Sequence, residues 1–456
     1  MVASAFRSRV STRRVYALGA LAAVLFGYDN GIIGAALLFI PGDLFLEPWQ
    51  IGAVVSAMTL GAMLGSLSSG SPADRYGRQR ILLASGVVFI VAALGTGLAP
   101  TVGALILFRF ILGLAIGIAS VTVPLYLAEM APARDRGVIT SLNQYMIIVG
   151  GVLASAVGFG LAFVGSWRWM LLIGVFPAVV LVVGMLAMPD TPRSLIRRGR
   201  VEEARLVLAG LRGDAAEAER ELAEITALDR QERNTPGRAL LAAPWVRRLL
   251  LLGALLAIFQ QVTGINAIVY YGPTILTDFG VSTTITLLFF LVNGLVNIGT
   301  IALVVRSKVV DRRGRKPVLL AGLVGMSASL FAVGAAVLIL PDKSTALFVI
   351  VMAAFVVITN IFSATWGPVL WVMLAEIFPL AIRGMAMAIA TLFNWLANFV
   401  VVQTFPSFAA YAGIGSAFMV FAAVGVVLFP VVWWMVPETK ERSLESLEAA
   451  FRGGTA

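Results

Sequence analysis

The sequence predicts an all-α integral membrane protein, twelve transmembrane helices arranged as two pseudo-symmetric halves of six. Three observations carry that prediction. Hydrophobic residues make up 59% of the chain and charged residues 13%, against about 25% charged in soluble domains. The apolar residues fall in blocks of about 20 or more, long enough to cross a bilayer as helices. Three short motifs also recur in the second half in the order they hold in the first. Asp74-Arg75-Tyr76-Gly77-Arg78 returns as Asp311-Arg312-Arg313-Gly314-Arg315, and Glu129 with Arg136-Gly137 returns as Glu376 with Arg383-Gly384. Pro189-Asp190-Thr191 returns as Pro437-Glu438-Thr439, at nearly the same interval.

Taken in order, the blocks lie near 16–40, 51–72, 81–99, 102–124, 138–163, 167–188, 247–271, 283–308, 317–340, 345–375, 385–407 and 414–436. The first is too long for the apolar core of a secretory signal and is read as a retained span. The halves are therefore 1–191 and 247–437. Between them, 192–246 reads as a cytoplasmic linker with short amphipathic helices at 201–210 and 217–225. Asn234-Thr235-Pro236-Gly237 breaks the chain before it re-enters the membrane. Residues 438–456 form a tail on the same side.

The net charge is +10, and its placement matters more than its size. Arg7, Arg9, Arg13 and Arg14 precede the first span; Arg75, Arg78 and Arg80 follow the second; Arg193, Arg197, Arg198 and Arg200 follow the sixth. The opposite connections hold chiefly Arg168 and Lys343. That asymmetry follows the positive-inside rule and places both termini in the cytoplasm. The basic residues are topology signals, and no nucleic-acid partner is expected. There is no cysteine and no histidine, which removes disulfides, thiol chemistry, imidazole catalysis and the commonest metal ligand. Without either residue no nucleophile–base pair is evident, so an enzyme is not expected.

The polar residues inside the spans carry the functional argument. Span 1 holds Gly27-Tyr28-Asp29-Asn30-Gly31. A carboxylate at mid-membrane is rare and marks function, with a partner to be named. Arg109 in span 4 is that partner, with Gly113 and Gly117 on its face to permit close helix approach; a buried structural ion pair is the plainer alternative. Span 5 carries Gln144, and span 8 carries Asn293 and Asn297 on one face. Span 7 contains Gln260-Gln261-Val-Thr-Gly264-Ile-Asn266, followed by Tyr270-Tyr271. Each buried amide needs partners that hydrocarbon cannot supply. On a regular helix Gln261 and Asn266 diverge by about 140°, and a glycine between them allows the helix to unwind so that both serve one site. Single amides of this kind often join helices. Span 10 has Gly367-Pro368-Val-Leu-Trp371, a second expected break, and span 11 has Asn394-Trp395 and Asn398. Amides suit sugar hydroxyls and an indole covers a sugar's apolar face, although a lone tryptophan serves equally as an interfacial anchor.

Together these motifs resemble the sugar porters of the major facilitator superfamily along nearly the whole chain. That family includes bacterial proton-coupled xylose and glucose symporters and the glucose facilitators. The resemblance implies the major facilitator fold and assigns Gln144, Gln260, Gln261, Asn266, Asn297, Trp371, Asn394 and Trp395 to the sugar. Arg306 and Lys308 make the end of span 8 unusually basic, and Pro189-Asp190-Thr191 departs slightly from the family's usual motif. It also implies that Tyr270 and Tyr271 act as a gate. Asp74, Arg75, Arg78, Glu129 and Arg136, with their repeats Asp311, Arg312, Arg315, Glu376 and Arg383, would form a salt-bridge network that shuts the cytoplasmic side. From the residues alone, Glu129 and Arg136 could pair across a turn, as could Glu376 and Arg383; the plainer role is orientation and helix capping. An aspartate at the Asp29 position resembles the proton-coupled members. A small cytoplasmic helical bundle, joined by 441–451, is implied as well.

The expectation is a monomeric, proton-coupled monosaccharide symporter of a bacterial inner membrane, working by alternating access, its partners being a sugar, a proton and the bilayer. Asn394 favours a hexose such as glucose over xylose. No cofactor beyond the coupling proton and no metal are expected. A sugar facilitator with Asp29 structural is the alternative, and a non-transporting sugar sensor is a more distant one.

Overall fold

The computed structural model describes residues 12–131, 136–234, 243–341, 344–379 and 382–440, with their side chains except at 12–14, 20, 71, 136–143 and 228–234. Among these residues, 12 helices are long and apolar enough to cross a membrane. In order, spans 1 to 6 are Val15–Ala36, Pro48–Gly70, Arg78–Gly97, Val102–Met130, Gln144–Leu161 and Trp167–Leu186. Spans 7 to 12 are Pro244–Asp278, Thr283–Ser307, Arg315–Ile339, Thr345–Ile377, Arg383–Ala412 and Ile414–Met435. Each of the expected apolar blocks has become one of them.

Local sequence sets where the helices begin. The hydroxyls of Thr101, Ser282 and Ser344 accept the backbone N–H three residues on, at 3.2, 3.4 and 3.2 Å, and so start spans 4, 8 and 10. Each satisfies one of the amides that a helix start leaves open. Spans 7 and 10 are each interrupted. Span 7 consists of Pro244–Val262 and Ile265–Asp278, and span 10 of Thr345–Ala364 and Trp366–Ile377. The second break falls at Thr365, just before the expected Gly367-Pro368, which lie inside the helix that follows.

The chain folds into two compact units. The first comprises Met1–Asp29, Leu60–Gly151 and Leu171–Pro236. It includes the linker helices Pro192–Arg197, Val201–Arg212 and Ala215–Asn234, which contain the amphipathic segments expected there. Arg212, almost fully buried, donates to both Glu221 oxygens at 2.6 and 2.8 Å and to the Met130 carbonyl at 3.2 Å. The linker is thus tied to the last turn of span 4. The expected contribution of 441–451 lies outside the described residues.

The second unit comprises Asn30–Thr59, Val152–Met170 and Gly237–Ala456. It therefore gathers spans 7 to 12 with the ends of spans 1, 2, 5 and 6 that lie away from the repeated motifs. Polar contacts fasten those ends. Tyr270 hydroxyl donates to Asn30 Oδ1 at 2.8 Å, Ser56 hydroxyl to Gln403 Oε1 at 2.6 Å, and Trp167 Nε1 to Asp43 Oδ2 at 2.8 Å.

Candidate transport sites

The first unit holds the buried ion pair. Arg109 Nη1 lies 2.8 Å from Asp29 Oδ1 and 3.0 Å from Oδ2, with Arg109 0% and Asp29 4% exposed. The backbone of span 1 nearly touches span 5: a Cβ on Gly27 would fall 1.8 Å from the Ile147 carbonyl oxygen, and one on Gly150 2.1 Å from that of Val24. The glycines expected to admit span 1 do something else. Gly117 packs against Ala62, and Gly113 against Gly61. They bring span 4 onto span 2, because the stripe of small residues on span 4 and the Arg109 side chain serve different neighbours.

The second unit holds the amide cluster at the break in span 7. Gly264 adopts φ 81 there, a left-handed conformation that costs other residues about 1–2 kcal/mol. The break turns the two helices so that Asn266 Nδ2 donates to Gln261 Oε1. Gln261 Nε2 donates to Asn394 Oδ1 at 3.0 Å, and Asn394 Nδ2 to Gln260 Oε1 at 2.9 Å and to the Ala257 carbonyl at 3.0 Å. Gln260 Nε2 donates to the carbonyl of Trp366, at the break in span 10, at 2.8 Å. Two broken helices and span 11 are thus joined by four amides, three of which are buried. Tyr271, one turn beyond Asn266, donates to the Val402 carbonyl at 2.7 Å and stacks on Phe405.

The remaining expected sugar residues, Gln144, Asn297, Trp371 and Trp395, lie on spans 5, 8, 10 and 11. Gln144 lies on span 5 in the first unit and is half-buried. Trp371 is half-buried on the second helix of span 10, and Trp395 is buried beside Asn394. Asn297 Oδ1 is buried without a hydrogen-bond partner, as is Asn398 Oδ1, one turn after Asn394. Asn293 joins spans 8 and 10, exchanging hydrogen bonds with Thr359 at 3.1 and 3.2 Å and accepting from Asn360 at 3.3 Å. These partners on span 10 were not singled out from sequence, because isolated Thr and Asn in an apolar block carry no periodic signal.

Each unit also contains one copy of the repeated polar cluster. In the first, Arg78 reaches Asp74 at 2.8 Å and Glu129 at 3.3 Å, while Thr191 hydroxyl donates to Glu129. In the second, Arg315 reaches Glu376 at 2.8 Å and Asp311 at 3.3 Å, while Thr439 hydroxyl donates to Glu376 at 2.5 Å. Asp190 accepts the backbone N–H of Arg78 at 2.9 Å, and Glu438 that of Arg315 at 3.0 Å. Each therefore places its carboxylate on the positive end of a helix, span 3 or span 9. Gly77 and Gly314, at φ 98 and 94, leave room for it: a Cβ would lie 2.0 Å from Asp190 Oδ2 or 2.5 Å from Glu438 Oε2.

This arrangement corrects one pairing. Glu376 does not meet Arg383, whose Nε donates to the Phe378 carbonyl at 3.2 Å. Arg315 and Thr439 already occupy the carboxylate. Glu129 is engaged in the same way, and the Arg136 side chain lies outside the described residues. Arg75 stacks on the neighbouring Tyr76 ring at 5.4 Å, and Arg312 is exposed, its carbonyl accepting from Lys440 at 2.9 Å. Asp190 and Glu438 were visible in sequence only as repeated letters, since nothing local reveals that a residue over a hundred positions away caps a helix.

Twelve spans, a repeated motif cluster in each unit and interrupted spans 7 and 10 define a transporter of the major facilitator superfamily. The profile described as "Sugar (and other) transporter" matches residues 15–451, and the chain belongs to that family. It is 41% identical over 452 residues to the D-xylose transporter of Levilactobacillus brevis, covering 98% of this chain and 97% of that one. It is 38% identical over 434 residues to the galactose-proton symporter of Escherichia coli strain K12, covering 94% and 92%. Among solved structures, the inward-open conformation of the xylose transporter XylE from E. coli superposes with a TM-score of 0.83 at 28% identity, covering 96% of this chain and 99% of that one.

Proposed function

We propose that this chain is a proton-coupled monosaccharide symporter of a bacterial inner membrane, with both termini cytoplasmic. The observation that carries this reading is the Asp29–Arg109 pair, buried within the first unit. Desolvation favours the neutral acid and the guanidinium favours the carboxylate, so the two effects oppose each other. Which of the two prevails as the surroundings change decides whether Asp29 carries the proton. Protonation removes the carboxylate's charge and weakens both contacts to Arg109, freeing span 1 to move against span 4. The names of the two curated relatives, a D-xylose transporter and a galactose-proton symporter, support a monosaccharide substrate and a proton as coupling ion.

The sugar is assigned to the amides of the second unit. Gln260, Gln261, Asn266 and Asn394 satisfy one another, so a sugar hydroxyl can replace an amide partner without leaving a buried polar group unpaired. Gln144, Asn297, Trp371 and Trp395 complete the proposed set, and Asn394 favours a hexose. Tyr270 and Tyr271 act at the outer gate, where Tyr270 fastens the end of span 1. The two repeated clusters hold the cytoplasmic ends, one in each unit. No cofactor besides the proton takes part, and the chain acts as a monomer.

Uptake into proteoliposomes tests the reading. Moving one proton through 100 mV releases about 2.3 kcal/mol, enough for roughly fifty-fold accumulation. Purified protein should accumulate labelled glucose or xylose above the external concentration and lose that accumulation when a protonophore is added. Equilibration without accumulation would make the protein a facilitator.

A further inference from the structure

Spans 9 and 12 pack against each other, and Glu438, just after span 12, bonds the backbone amides at the start of span 9. Where they touch, small residues set the spacing: a Cβ on Gly425 would lie 1.9 Å from Ser327 Oγ, and one on Gly334 3.0 Å from the Gly415 carbonyl oxygen. One turn beyond Gly425, span 12 presents Phe429 and then Trp433. These two side chains line one wall of a groove of about 390 Å³ between the helices. Leu320, Ala321 and Val324 of span 9 form its opposite wall, and Lys316 stands at its end.

This groove faces the bilayer, since Val324 is 55% and Trp433 54% exposed. It also has a charged mouth. The Lys316 ammonium lies 5.7 Å from the centroid of the Trp433 ring, which stacks on Phe429 at 6.2 Å. Lys316 makes no ion pair among the described residues, and the acids near it are engaged. Asp311 and Glu376 hold Arg315, and Glu438 holds the backbone amides of Arg315, Lys316 and Lys440. Arg312 and Arg313 are exposed just before span 9. The local surplus is positive, and the exposed Trp433 and Trp434 place this end of span 12 at the membrane interface.

We propose that the groove binds one anionic phospholipid, its phosphate on Lys316 and an acyl chain along Leu320, Val324 and Phe429. An apolar slot two helices wide excludes a soluble phosphate as the intended occupant, because it contributes only to a ligand with a hydrocarbon tail. A basic pocket between helices at the interface provides the charge selectivity. Such a lipid bridges spans 9 and 12 beside the Arg315–Glu376–Glu438 cluster and braces it.

Native mass spectrometry of delipidated, detergent-purified full-length protein tests this with dioleoylphosphatidylglycerol and dioleoylphosphatidylcholine as probes. The wild type should retain one phosphatidylglycerol that survives mild activation and no equivalent phosphatidylcholine. Lys316→Gln should weaken that binding about fivefold, the effect of one lysine near a membrane surface. Ala321→Trp, which fills the groove and keeps the cation, should abolish it. If Lys316→Gln does not fold, Ala321→Trp decides alone. Equal retention of the two lipids, undiminished retention in the variants, or displacement by glycerol 3-phosphate alone would each overturn the proposal. A change in oligomeric state on Ala321→Trp would instead assign the groove to a second copy of the chain.

Discussion

Asp29 on span 1 meets Arg109 on span 4, 80 residues away in sequence, while the backbone of span 1 lies close against span 5 at Gly27 and Gly150. The Asp29→Asn variant preserves the shape and still offers Arg109 an oxygen acceptor, but it cannot carry a proton. It should lose uphill uptake and sugar-driven proton entry in proteoliposomes, yet exchange labelled sugar at equal concentrations on both sides. Accumulation by the variant would remove Asp29 from the coupling path. In the amide cluster, Gln261→Ala or Asn266→Ala takes one partner from a mutually satisfied set. A lost neutral hydrogen bond is worth about 0.5–1.5 kcal/mol, and an unpaired group adds to it. Sugar affinity should therefore fall roughly three- to thirty-fold, with folding largely kept, as judged by equilibrium binding to purified variants. Unchanged affinity would mean that these amides only join helices.

Among the elements, span 7 depends on its break. Gly264→Ala places a side chain at φ 81, with the new Cβ 2.8 Å from the Phe421 ring. The backbone strain alone costs about 1–2 kcal/mol. We expect a lower melting temperature in detergent and a larger loss of sugar affinity than the exposed Gly299→Ala gives, since a Cβ there meets open space. Equal effects at the two sites would show that the break is not needed. The starts of spans 3 and 9 depend on capping from a distance. Removing the carboxylate by Asp190→Ala or Glu438→Ala should cost about 0.5–2 kcal/mol, the range for a lost N-terminal cap, and lower the melting temperature. In Glu438→Ala the loss should be matched by weaker protection of the Arg315 and Lys316 amides in hydrogen exchange. Unaltered protection would place the carboxylate's role elsewhere.

For the whole molecule, sidedness is the first test. A reporter fused after Ala456 and one inserted near Asp229 should both report a cytoplasmic position; an external signal at either would overturn the topology read from the arginines. Within the second unit the ends of spans 1 and 2 are fastened by Tyr270 to Asn30 and by Ser56 to Gln403. Loosening them by Ser56→Ala should raise the accessibility of a cysteine introduced at Asn30 to an impermeant thiol reagent.

Sequence by itself determined the twelve spans, the duplicated motifs, the break in span 7 at Gly264 and, to within two residues, the break in span 10. Apolar block length, glycine and proline are local properties, and a bilayer leaves the backbone few alternatives to a helix. It also singled out Asp29 and the amides of span 7, because a polar side chain in an apolar block has nowhere cheap to go. Tertiary structure decided the partnerships. Arg315 rather than Arg383 holds Glu376, Asp190 and Glu438 cap helices more than a hundred residues away, and Gly117 serves span 2 rather than span 1. Each of these depends on which helix faces lie together, and no residue's immediate neighbours in the chain encode that.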